Sequence, residues 1–300
     1  MGVGRHSDVT HAGTSRQQRP SLARALCDST ITTREGVPRV SETATHSRAD
    51  LAFVAAALVI HLGPLALAAS LTANQSADLR TQAATLLPVG GLIAAAQVML
   101  VVAARRMDLV GMTVPLRGGW TLTLPVWIVI GGIFLGAILG PNALPDAADL
   151  ALLILAMALV AFNEEFTFRG AVMGAFMRRG SPIAAVVISS ALFGLAHYVG
   201  VLGGGELGPT TRQVMAAALF GVALGLVRLR MPSLWPLVAM HGLWNVAVIS
   251  AGDGASVASP GPGGTLLRVL GVILILSAAT GVVIKAVRQR GRDRARSAAR

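Results

Sequence analysis

Apolar stretches as long as a bilayer core is thick recur from end to end of this chain, and they leave few folds open to it. A hydrocarbon core about 30 Å thick takes roughly 20 residues of helix. By that measure eight segments are spans: 51–71, 84–104, 121–140, 147–168, 183–203, 213–229, 233–251 and 265–286. The fourth is expected to continue as helix to about Met177. Of 300 residues, 54% are apolar and 13% charged, and the mean hydropathy of +0.67 lies outside the usual soluble range. The expected fold class is all-α: a polytopic membrane protein of about eight transmembrane helices.

The loops give this reading an orientation. Of 25 basic residues, 22 fall in the tail up to Arg48, in loop 105–120 (Arg105, Arg106, Arg117), in segment 169–182 (Arg169, Arg178, Arg179), in the turn with Arg228 and Arg230, and in the tail from Lys285. The alternate loops hold little besides Asp78, Arg80, Asp146, Asp149, Glu206, Arg212 and Asp253. Basic residues mark the cytoplasmic side, so both termini are expected there, in an integral protein whose partner is the lipid bilayer. The formal charge of +11 is divided among these loops instead of forming one basic face, and nucleic-acid binding is set aside. Residues 1–50 lack the apolar core of a signal peptide and read as a disordered Arg/Ser/Thr-rich cytoplasmic tail. Beyond it the expected organisation is N-terminal transmembrane helices over 51–140, a functional core over 145–252, and a last span with a basic cytoplasmic tail over 253–300. Cys27 is the only cysteine, which excludes an internal disulfide or a thiolate metal site. Small-residue spacings at Gly132–Gly136–Gly140, Gly200–Gly204 and Gly221–Gly225 suit close helix packing.

Ionisable groups at membrane depth cost roughly 2.5–3.5 kcal/mol each on insertion scales, so each one asks for a partner or a purpose. Glu164, Glu165 and Arg169 stand in the fourth span, His197 in the fifth, His241 and Asn245 in the seventh, and His61 in the first. Glu165 and Arg169 are four apart on one helical face and can pair, whereas Glu164 points about 100° away. Glu165 then reads as the anchored acid and Glu164 as the one turned to a cavity, where desolvation suits a carboxylate to general-base work. The plain alternative is a buried packing network without chemistry. "HGLWN" puts His241 and Asn245 on one face, and "FGLAH" puts Phe193 one turn before His197. His61 has no polar partner in its own span and reads as a core histidine. There is no H-E-x-x-H, G-x-S-x-G or Walker pattern, and no Gly-x-Gly-Asp.

Taken in order, Glu164-Glu165-x-x-Phe168-Arg169-Gly170, Phe193-x-x-x-His197 and His241-x-x-x-Asn245 resemble the CPBP family of intramembrane proteases, also called the Abi or type II CAAX endopeptidase family. The resemblance covers about residues 145–252. It implies an endopeptidase acting on a membrane-associated protein or peptide, in the plasma membrane of a bacterial cell. It implies that Glu164 activates water with His197 helping to position that water or a metal, that Glu165 and Arg169 support the site, and that His241 with Asn245 stabilises the oxyanion. Two His and a Glu could hold a divalent metal such as zinc. Metal-free catalysis by glutamate with His and Asn donors is equally allowed. On depth, Glu164 lies toward the inner half of its span and His197 toward the outer half. A tilt or a broken helix is therefore expected to bring them together, in a cavity opening to the arginine-rich cytoplasmic side. Other classes consistent with the same polar cluster are a non-hydrolytic immunity or chaperone protein and a proton-coupled transporter.

Overall fold

A computed structural model describes residues 40–73, 79–116, 120–139, 145–179 and 182–250. The chain divides into two compact units, Met1–His46 and Ser47–Arg300; the first helix below begins within the first unit, and the fold described is that of the second, from Ser47 on. Its elements are α1 (Val40–Leu71), α2 (Leu79–Ala103), α3 (Met107–Val110), α4 (Trp120–Leu139), α5 (Ala147–Glu165), a π-helical segment (Phe166–Val172), α6 (Met173–Arg178), α7 (Pro182–Ala196), α8 (Val199–Leu202), α9 (Leu207–Arg228) and α10 (Trp235–Ser250). Among the described residues there is no strand, so the fold is all-α.

Five stretches are long and apolar enough to cross a membrane: Arg48–Leu71, Arg80–Ala103, Ala147–Arg178, Pro182–Leu202 and Leu207–Arg228. The third predicted span falls on α4, whose apolar part is the shorter Thr123–Gly136, and the seventh on α10, of 16 residues. The eighth, 265–286, lies outside the described residues, as do residues 1–39 of the predicted N-terminal tail and the basic C-terminal tail. Large apolar side chains such as Val59, Met99 and Ile138 face outward, as a lipid-facing surface requires and a water-facing one rarely tolerates.

Two packing arrangements position the interior. Helix α5 lies against both α2 and α10, and α7 packs closely on α9. Bare glycine faces make the second contact possible. A Cβ at Gly194 would stand 2.7 Å from the Val214 carbonyl oxygen, and one at Gly225 would meet Val186 at 3.1 Å. Of the predicted small-residue pairs, Gly221–Gly225 lies in this contact, whereas Gly132 and Gly200 face open space. A sequence spacing cannot tell a helix-facing stripe from a lipid-facing one.

The two ends of the bundle are defined by their ion pairs. At one end Asp50 binds Arg106 and lies 3.5 Å from Arg178, and the Arg228 guanidinium donates to the carbonyls of Pro232 (2.5 Å) and Val110 (3.2 Å). At the other end Arg80 pairs with Asp149 at 2.7 Å and Asp146 at 3.6 Å, and Gly203 approaches Ala69. Two arginines lie inside the bundle, Arg169 as expected of the fourth span and Arg228 in place of the expected turn charge. Arg169 is fully buried within the helical run and Arg228 is buried at the end of α9, because each finds oxygen acceptors that make burial tolerable.

The break in α5 falls beside the acidic pair. Main-chain bonding changes register after Glu165, as π turns do within longer helices, frequently at functional sites. Side chains stitch this junction to α2: Gln97 Nε2 donates to the Asn163 carbonyl (3.2 Å) and to the Thr167 hydroxyl (2.9 Å), and that hydroxyl donates to the same carbonyl at 2.9 Å. Asn163 Nδ2 returns a bond to the Gly90 carbonyl at 3.0 Å. Below the junction α3 sits on a face bared by Gly170 and Gly174, where added Cβ atoms would lie 2.5 Å from Val110 Cγ1 and 2.8 Å from the Leu109 carbonyl oxygen. Replacing Gln97 with Leu strands buried polar groups, and the expected loss is about 1–3 kcal/mol, measured as a lower midpoint for unfolding of the detergent-solubilised protein.

Candidate active site

The fourth-span motif divides its two acids between two environments. Glu165 is fully buried, and its Oε1 accepts from Arg169 Nη1 at 2.9 Å and from His241 Nδ1 at 2.8 Å. The Arg169 guanidinium also lies over the Phe193 ring, 4.3 Å from its centroid, a cation–π contact strengthened by exclusion of water. Glu164 projects elsewhere: it lines two adjoining cavities and its side chain is 16% exposed.

His241 joins the two acids. Its Nδ1 faces Glu165, and its Nε2 stands 3.3 Å from Glu164 Oε2. The ring is held edge-on between Phe193 and Phe220, with centroid separations of 5.6 and 5.4 Å. Because Glu165 is paired with Arg169, its oxygen accepts and His241 Nδ1 carries the hydrogen. Gly221 leaves room for this arrangement, since a Cβ there would stand 3.1 Å from Arg169 Nη2 and 3.2 Å from Phe193 Cδ1.

His197 reaches the same space through a broken helix. Helix α7 ends at Ala196, and His197 begins a turn leading into α8. Its Nδ1 lies 2.9 Å from the Phe193 carbonyl oxygen. A carbonyl can only accept, so Nδ1 holds the hydrogen and a neutral ring offers Nε2 as an acceptor. Glu164 and His197 both line a cavity of about 460 Å³, and these two with His241 and Asn245 line a second of about 310 Å³.

Two residues were missed or misread from sequence. His61, expected to be a satisfied core histidine, is buried edge-on against Phe168 at 5.7 Å, its Nδ1 has no hydrogen-bond partner among the described residues, and it lines both cavities with Glu164 and His197. Its partners come from other helices, which inspection of its own span could not reveal. Gln97 was overlooked because it carries no charge, although a buried amide in an apolar span needs partners just as an acid does. Among the described residues the lining of the larger cavity leads away from the arginine-rich end. It runs to Thr72, Thr81 and Gly203.

No three His, Cys, Asp or Glu side chains among the described residues converge so as to hold a metal ion. His241 turns one nitrogen to each glutamate and His197 commits Nδ1 to its own helix. Each histidine thus commits Nδ1 to an oxygen acceptor and keeps Nε2 available, the orientation that second-shell oxygens impose on metal-bound histidines as well as on metal-free ones.

Acids, imidazoles and an amide are gathered around a cavity inside an apolar, membrane-embedded helical bundle. Residues 146–247 match the family model described as "Type II CAAX prenyl endopeptidase Rce1-like". That segment is about a third of the chain and contains all six predicted site residues. No curated protein and no solved structure matches the chain.

Removing the cation is the sharpest probe of the buried pair. Arg169→Met leaves Glu165 buried without its guanidinium, and an expected loss of about 3–5 kcal/mol follows. Adding Glu165→Gln should restore part of it, because the stranded charge is then gone. Denaturant titrations of the two single variants and the double variant in detergent measure both effects.

Proposed function

We propose that this protein is an intramembrane endopeptidase in which Glu164 activates water to attack a peptide carbonyl, with no step routed through a metal. The observation supporting this reading is that a part-exposed acid, an acceptor imidazole, a second imidazole and an amide, namely Glu164, His197, His241 and Asn245, line one cavity of about 310 Å³.

The hydrogen bonding limits where hydrogens can sit. His241 Nδ1–H is committed to Glu165, so the ring can offer a second hydrogen, on Nε2, only as an imidazolium. One proton between Glu164 Oε2 and His241 Nε2 can sit on either group. On His241, it leaves Glu164 a carboxylate base and makes His241 a charged donor. The two carboxylates are then balanced by the Arg169 guanidinium and the imidazolium, so the low-dielectric cluster carries no net charge.

The reaction uses those states directly. Water held by the His197 acceptor nitrogen gives its proton to Glu164 as its oxygen bonds to the carbonyl carbon. His241 Nε2–H and the Asn245 amide donate to the oxyanion that forms. Glu164 then passes its proton to the amide nitrogen, the C–N bond breaks, and carboxyl and amine products leave. Glu165 and Arg169 act through His241 as positioning residues.

The test uses the purified full chain, reconstituted with a library of prenylated and otherwise membrane-anchored peptides. Loss of the general base lowers such rates by about 10²–10⁴, expected for Glu164→Gln. Loss of one oxyanion donor lowers them by about 10²–10³, expected for Asn245→Ala. Undiminished cleavage by Glu164→Gln and His241→Ala overturns the assignment. Full activity after chelation, with no stoichiometric metal by elemental analysis, is the result expected of the metal-free route.

A further inference from the structure

The direction in which the reaction chamber opens carries information about its substrate. From Glu164 and His241 its walls extend one way along every helix that builds it. On α5 the lining continues to Val160 and Met157, on α10 to Val248 and Ile249, and on α1 to Thr72 and Ala73. Along each helix these positions lead toward the end where Arg80 pairs with Asp146 and Asp149.

Among the described residues the opposite direction is tightly packed. Immediately beyond Glu165 come Phe166, Phe168, Arg169 and Val172, all fully buried, with Val110 of α3 and Leu234 before α10 packed in the same core as Phe166. Gly170 and Gly174 let α3 seat so tightly there that even a methyl group would clash. This packed end carries Arg105, Arg106, Arg178, Arg179 and Arg230, whereas the open end mixes Arg80 and Arg212 with Asp146, Asp149 and Glu206.

Basic loops are retained on the cytoplasmic side. We propose, resting on the endopeptidase reading for the reaction itself, that the chamber is entered from the extracytoplasmic face. Its substrate is then a membrane-anchored protein or peptide whose scissile bond lies at or beyond the outer leaflet. The outer of the two adjoining cavities, about 460 Å³ and lined by Glu164 and His197, falls in the range of pockets that enclose a ligand. Its outer wall is built from small residues, Ala68, Ala69, Ala73, Gly200 and Gly203, leaving width for an extended peptide.

Side-selective labelling tests the direction of entry without reference to catalysis. Cys27 is the only native cysteine, so a Cys27→Ser background can carry one reporter: Ala69→Cys on the chamber wall, or Leu116→Cys, which is 55% exposed beyond α3. A membrane-impermeant maleimide is added to right-side-out and to inverted vesicles from a bacterial host. The expected result is modification of Ala69→Cys in right-side-out vesicles alone and of Leu116→Cys in inverted vesicles alone. Modification of Ala69→Cys only in inverted vesicles, or in neither, overturns the proposal. In the same vesicles a lipid-anchored quenched-fluorescence peptide, added from outside, should be cleaved by the right-side-out preparation and not by the inverted one, and the reverse overturns it. If the labelling is as expected but neither orientation cleaves, the direction of entry is supported and the endopeptidase reading has failed.

Discussion

A carboxylate with no access to water anchors the site. Glu165 is tolerable at its depth because Arg169 and His241 both donate to one of its oxygens, and each is fixed in turn by aromatic rings. Burying ions is expensive, and the pairing does not by itself imply a more stable protein than a well-packed apolar core would give. What the pairing provides is definition. With Nδ1 tied to Glu165, His241 has one possible face toward the cavity, and Glu164 is left as the acid with freedom to act.

The division between the two acids was legible from the sequence because it depends on local geometry. Four residues bring Glu165 and Arg169 to one face and one residue turns Glu164 away, and the insertion of π turns after Glu165 did not undo this. The long fourth span was equally readable, since a mostly apolar run without proline that ends at paired arginines gives a helix few places to stop, and the helical run ends at Arg178.

What escaped the sequence depends on neighbours. His61 looks solitary in α1 and becomes part of the chamber only when α1 is set beside Phe168. Arg228 looks like a turn charge until its oxygen acceptors, the carbonyls of Pro232 and Val110, are known. The run of the cavity lining also depends on neighbours: counting residues to a membrane surface gives depth, whereas access depends on which end is plugged. Here the plug is α3, four residues long, too short and too amphipathic to stand out beside the spans.

The stitching of Gln97 to the Asn163 carbonyl and Thr167 bears on where the functional unit begins. The segment that matches the protease family starts at residue 146, yet a hydrogen-bond donor to its central helix, the plug beneath it and one wall of its chamber come from residues 97, 109–110 and 61–73. The family signature is therefore a recognisable fragment of the machine and not a separable part. Transplanted alone into another membrane protein, it would bring the reactive side chains but neither the floor nor the far wall of the space in which they meet.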